Sequence, residues 1–177
     1  METCLPKRRD YVPIGWLEPP TIPSNLIRII ADADLADFGL ITSRMHMAWL
    51  RNIGGRLKSD YRYSIGIVYN PFPWPLLDES QRGKISALAQ AVLDARGKHP
   101  DSTMADLYDP LTMPPNLRRA HQSLDDAVDR LFRATAFPND RERVELLFRL
   151  YETNVAPMLA GSAPQRPLRR RATVRRM

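Results

Sequence analysis

One cysteine, Cys4, is all the chain offers for sulfur chemistry, and its three histidines, His46, His99 and His121, lie far apart in sequence. A disulfide framework needs paired cysteines and a structural zinc needs clustered ligands, so neither is expected. Long apolar runs are missing too. The most continuous stretches, such as Ile29-Ile30-Ala31, fall far short of the roughly 20 residues that cross a bilayer, and the first residues lack the apolar run of a secretion signal. The expectation is a soluble, cytoplasmic protein with no metal and no membrane partner.

Acid is scarce in two places. After Ala160 the chain carries Arg166, Arg169, Arg170, Arg171, Arg175 and Arg176 and no acid, so these six arginines account for the whole net charge of +6. The high isoelectric point therefore belongs to the tail. The second place is 44–62, where Arg44, Arg51, Arg56, Lys58 and Arg62 meet a single acid, Asp60. A local excess of cations attracts a polyanion, whereas net charge alone does not say where one would sit.

With 177 residues, 44% of them hydrophobic, the chain can bury one ordinary core or two small ones. Residues 1–25 are punctuated by Pro6, Pro13, Pro19, Pro20 and Pro23, which withhold backbone donors, so an extended arm with one short strand at 10–14 is expected. The branched residues of 26–30 suit a buried strand. Gly39 should break the chain, after which Thr42 or Ser43 can cap a helix running to about Ile53. Gly54-Gly55 should end that helix through the left-handed geometry glycine tolerates. Aromatic and branched residues dominate 61–69 and favour a strand, and Pro71, Pro73 and Pro75 make 70–76 a stiff connector.

Beyond the connector the pattern is helical. Asp78 with Gln81 and Asn139 with Glu142 repeat a capping signature, and Pro114-Pro115 suits a first helical turn. Ile85, Leu88, Val92 and Leu93 form one apolar stripe. Leu117, Ala120, Leu124, Val128 and Leu131 form a second, and Val144, Leu147, Tyr151, Val155 and Met158 a third. Three such stripes can bury one another as an antiparallel bundle. The fold class is thus α+β, predominantly α: a small β-containing unit at 1–75, a three-helix bundle at 76–160 and a disordered arginine-rich tail at 161–177.

Three long strings are more specific than any short motif. They are Phe38 to Trp49 (FGLITSRMHMAW), Gly55 to Ser64 (GRLKSDYRYS) and Val68 to Pro75 (VYNPFPWP), and together they resemble the MmeI-like DNA methyltransferases, the type IIL restriction-modification enzymes. Leu107 to Pro115 (LYDPLTMPP), with Leu117, His121, Leu124 and the stretch 140–151, is similar to the helical C-terminal domain of that family. The resemblance covers roughly Pro6 to Leu159. It implies that 1–75 is the end of a DNA target-recognition domain and that the parent enzyme moves a methyl group from S-adenosylmethionine to the exocyclic amine of adenine. The family's cofactor loop and its catalytic Asn/Asp-Pro-Pro-Tyr/Phe motif are absent from this sequence. Asn70-Pro71-Phe72 lacks the second proline and any glycine-rich turn nearby, so it reads as a connector, and no catalytic or cofactor-binding residue is expected here.

The candidate DNA-binding residues are Arg44, Arg51, Arg56, Lys58, Arg62 and Ser64. Lysine and arginine would contact phosphates and position the domain, while polar groups on a strand or loop would read base edges. The same charges would equally serve a solvated helix face, and the resemblance favours double-stranded DNA as the partner. Tyr61, Tyr63 and Tyr69 could stack at an interface, but at this spacing at least two are expected to pack inward. His46 and His121 read as internally bonded residues, Trp49 and Trp74 as anchors, and Met45 and Met47 as core filler. A DNA-recognition and scaffold fragment is the first reading. The alternatives are a module that completes a split methyltransferase by binding a separately encoded core polypeptide, and a nonfunctional remnant.

Overall fold

Helix dominates, and most helices start where a short polar side chain can take up the free amides of the first turn. The computed structural model describes residues 3–5, 9–17, 20–22, 29–58 and 60–161, with side chains from Arg9 to Val155 among them. Helix α1 (Leu35–Ile41) opens with a reciprocal box in which Asp34 accepts the Asp37 amide at 2.9 Å and Asp37 accepts that of Asp34 at 3.2 Å. Ser43 accepts from the His46 amide to start α2 (Arg44–Ile53). Asp78 with Gln81 opens α3 (Glu79–Gly97), and Thr103 with Asp106 opens the short α4 (Met104–Leu107). Pro115 is the first residue of α5 (Pro115–Phe132), and Asn139 accepts the Glu142 amide at 3.0 Å in the first turn of α6 (Asp140–Gly161).

Strands β1 (Thr3–Leu5), β2 (Gly55–Leu57) and β3 (Asp60–Tyr63) form an antiparallel sheet in the order β1-β3-β2. One continuous hydrophobic cluster joins Met45, Trp49 and Leu50 of α2 to Ile85 and Val92 of α3, Leu117, Leu124 and Val128 of α5, and Leu147 of α6. Helix α3 lies against α1 and α5, and α6 runs along α2. The α+β, predominantly helical class is the one observed, and the three C-terminal helices close their core with α1 and α2. The tail predicted at 161–177 falls outside the described residues, apart from Gly161 at the end of α6.

Several local expectations are corrected. The segment 10–14 is irregular and pairs in no ladder: Pro13 has no donor to offer, the Ile14 amide donates to the Val12 carbonyl at 2.9 Å, and side chains hold the segment instead. The Tyr11 hydroxyl donates to Asp125 at 2.8 Å, and the Ile14 carbonyl accepts from Arg96 Nη1 at 2.8 Å. Of the strand expected at 26–30, Ile29 and Ile30 are irregular and exposed, and the other residues lie outside the described set. Gly39 does not break the chain; it sits inside α1, where a Cβ would come 2.8 Å from Ile85 Cγ2 and 3.3 Å from both Ala89 Cβ and Leu124 Cδ1. It is glycine because three helices meet there. Gly54 does end α2, but in extended geometry (φ −61°, ψ 139°), and the reason is steric: a Cβ would lie 2.5 Å from the Leu50 carbonyl oxygen.

The strand expected over 61–69 stops at Tyr63. Ile65–Tyr69 instead form a single wide π-helical turn, in which the Ser64 carbonyl accepts the Val68 amide at 2.8 Å and the Ile65 carbonyl accepts the Asn70 amide at 2.9 Å. Trp49 Nε1 donates to the Val68 carbonyl at 3.1 Å and Val68 is fully buried. A tertiary anchor has overridden β propensity at this turn.

Candidate nucleic-acid interface

The β2–β3 hairpin is the ribbon at one edge of the three-stranded sheet, with Gly55 opposite Arg62, Arg56 opposite Tyr61 and Leu57 opposite Asp60, while β1 pairs with the other side of β3. Directly opposed residues share a face, and successive residues alternate, so Arg56 and Arg62 project from opposite faces. Both are exposed. The Arg56 guanidinium lies over the Tyr61 ring, 4.0 Å from its centroid, which pre-orients an arginine that remains open to solvent. Lys58 stands at the reversal with φ 56°, the left-handed region that tight hairpin turns need. Gly55 opposite Arg62 leaves room on that face, where a Cβ would meet only the Arg62 side chain, at 3.8 and 3.9 Å.

Arg44 and Arg51 sit elsewhere and are engaged within the fold. Arg44 Nε donates to Asp140 at 2.8 Å, and Arg51 Nη1 donates to the same carboxylate at 3.0 Å. Arg51 Nη2 also donates to the Arg9 carbonyl at 3.0 Å. Both line a polar cleft of about 330 Å³ with Asp10, Arg118 and Asp125. Its cations already face acids, since Asp10 lies 3.6 Å from Arg51 and 4.0 Å from Arg118. Ser64 is half-buried and supplies the carbonyl that starts the wide turn. The six candidates therefore divide: three on the ribbon, two tied to α6 and one in the backbone of a turn.

Three residues with large roles were missed. Asp140 gathers Arg44, Arg51 and Arg143, the last at 3.1 Å. Its place just after the Asn139 cap was visible in the sequence; its partners Arg44 and Arg51, 96 and 89 residues away, were not. Asp125 accepts from the Arg44 amide at 2.7 Å and from the Tyr11 hydroxyl, so a carboxylate from α5 sits at the N-terminus of α2. Burial pushes Asp125 up to about 7, and burial with the Asp125 charge beside it pushes the Tyr11 hydroxyl up as well. Arg96 is buried and donates to neutral oxygens, the Tyr108 hydroxyl at 2.8 Å from Nε and the Ile14 carbonyl from Nη1.

The histidines are internal, as their helical positions suggested. His46 Nε2 is 2.8 Å from the Tyr63 hydroxyl, with its ring against Phe72 and Trp74. His121 Nε2 is 2.7 Å from the Tyr108 hydroxyl. Because Arg96 donates to that oxygen, the Tyr108 proton points at His121 and Nδ1 carries the imidazole proton. Both Nδ1 atoms are buried and have no partner among the described residues, and burial pushes each histidine down to about 3, helped in His121 by the Arg96 charge. Tyr61 is buried, Tyr63 is bonded to His46 and Tyr69 packs on Trp74. In Asn70-Pro71-Phe72, the Phe72 ring is buried edge-on to His46, Trp49 and Trp74, and is thus spent on the core.

Two family models match this sequence: the MmeI target recognition domain over residues 3–76 and the MmeI C-terminal domain over residues 77–159. DNA methyltransferase A of Bacillus subtilis (strain 168) is 44% identical over 146 residues, which is 82% of this chain and 16% of that protein. A solved structure of the type IIL restriction-modification enzyme MmeI in complex with DNA matches with a TM-score of 0.83 and 41% identity, over 88% of this chain and 21% of that one. The chain thus spans between 16% and 21% of the length of these relatives.

Proposed function

Because the chain belongs to the MmeI-like DNA methyltransferases, as the C-terminal part of such an enzyme, we propose that it is the part that grips duplex DNA and braces the recognition surface. The β2–β3 hairpin carries this reading. The hairpin is the β2 edge of the three-stranded sheet and bears a cation on each face and a third at its tip, so it can present positive charge to the phosphates of a duplex. Arg56, Lys58 and Arg62 are the proposed DNA contacts; Arg44 and Arg51 hold α2 against α6. We divide the chain at the proline connector, with recognition in 1–75, bracing in 76–160 and a basic tail at 161–177.

The family resemblance read from the sequence supplies the rest of the proposal. Methyl transfer from S-adenosylmethionine to adenine belongs to the larger enzyme, and this chain contributes site selection without a catalytic residue. A labelled duplex titrated with the full chain at low and moderate salt tests it. Binding that weakens steeply with salt is expected, and absence of binding at both salts would sink the reading.

A further inference from the structure

Where the two family-model matches meet, Leu76 is 99% exposed. It stands between Pro75 and Leu77, two walls of a cleft of about 230 Å³ that is completed by Tyr69, Trp74 and the 42% exposed Ile30. The exposed Arg82 and Asp37 side chains, 3.8 Å apart, border it. The aromatic wall is held in place, because Trp74 Nε1 donates to the Tyr69 carbonyl at 3.2 Å and the two rings pack 5.0 Å apart. A cleft with a fixed aromatic wall beside a fully exposed leucine offers an anchor point: a partner's side chain fills it without the cost of ordering its walls.

We propose that this cleft is the docking surface for the remaining polypeptide of the methyltransferase, which seats an apolar side chain between Ile30 and Trp74 and covers Leu76. The choice of occupant follows from length. In relatives of which this chain spans 16% and 21%, most of the protein must be placed against a part this small, and an aromatic-walled cleft with exposed Leu76 and Ile30 at the seam of its two matched regions is a natural contact. The ribbon cations line no part of this cleft, so DNA and the docked polypeptide take different residues. The inference rests on the reading of the chain as part of a larger methyltransferase.

The test co-expresses this full chain with the Bacillus subtilis DNA methyltransferase A polypeptide lacking the region that matches it. A one-to-one complex should co-purify, and the paired substitutions Ile30→Asp and Leu76→Asp, both at exposed positions, should weaken it by about tenfold or more. Arg56→Glu should leave the complex intact while weakening duplex binding, and the paired variant should still bind duplex, which separates this inference from the DNA reading. No complex with the unaltered chain, or a complex indifferent to the paired substitutions, overturns the proposal. Self-association of the chain alone that the paired substitutions abolish overturns it too, in favour of a second copy as occupant.

Discussion

Replacing Arg143 with methionine should cost more than any other single side-chain change on α6. Its guanidinium grips Asp129 of α5 with both prongs, Nε to Oδ1 at 3.0 Å and Nη2 to Oδ2 at 2.5 Å, and the two side chains are only 7% and 9% exposed. Removing one partner of a buried pair costs about 3–5 kcal/mol, because the other charge stays behind in low dielectric. Asp140 also loses a partner, but it keeps Arg44 and Arg51, so that part of the loss is of the order of a surface bridge, about 0–1 kcal/mol. At roughly 2–4 °C per kcal/mol for a chain of this size, thermal unfolding followed by circular dichroism should shift down by about 6–20 °C. Asp129→Leu combined with Arg143→Met removes both charges and should recover most of the loss. A double variant as unstable as the two single losses added together would refute the reasoning.

Lys58→Ala or Arg62→Ala should weaken duplex binding and make its logarithmic salt dependence shallower by about 0.9 for each phosphate that is no longer neutralised, measured by fluorescence anisotropy; an unchanged slope would count against the ribbon. Arg51→Ala should instead lower stability and leave that slope alone. Gly39→Ala sets a helix-propensity gain of about 1 kcal/mol against about 1–3 kcal/mol of overpacking on Ile85, Ala89 and Leu124, and a lower melting temperature is expected; a rise would show that the seam has slack. His46 and His121 are both pushed down to about 3 by burial, so the unfolded chain binds more protons between about 6.5 and 3. Asp125, pushed up to about 7, works in the opposite direction, since its raised folded value favours folding as pH falls from 7 towards 4. Two histidines outweigh one carboxylate, so the urea midpoint should fall on going from neutral to mildly acid pH, and a midpoint that rises would contradict the balance.

Helix positions were legible because capping pairs such as Asp78 with Gln81 and Asn139 with Glu142 are local signals, and the structure forms them where they were read. Chain reversals decided by distant residues were not. Gly39 reads as a breaker until Ile85 and Leu124 stand over it, and Ile65–Tyr69 reads as a strand until Trp49 takes the Val68 carbonyl. The candidate site was legible as a cluster of cations but not as a partition. Nothing between Arg44 and Arg62 foretells that Asp140, far down the chain, engages two of them and none of the ribbon cations.

The close approach at Gly39 and the carboxylate of Asp140 together bear on how such a chain can change. A crossover between homologues at the proline connector would pair one parent's α1 and α2 with another's α3 and α6, and would have to reconcile helix spacing and two arginines at once. A transplant confined to 55–63 carries neither burden, because Gly39 and Asp140 both lie outside it. On the proposed function, new DNA contacts are therefore more readily acquired by editing this hairpin than by shuffling whole halves.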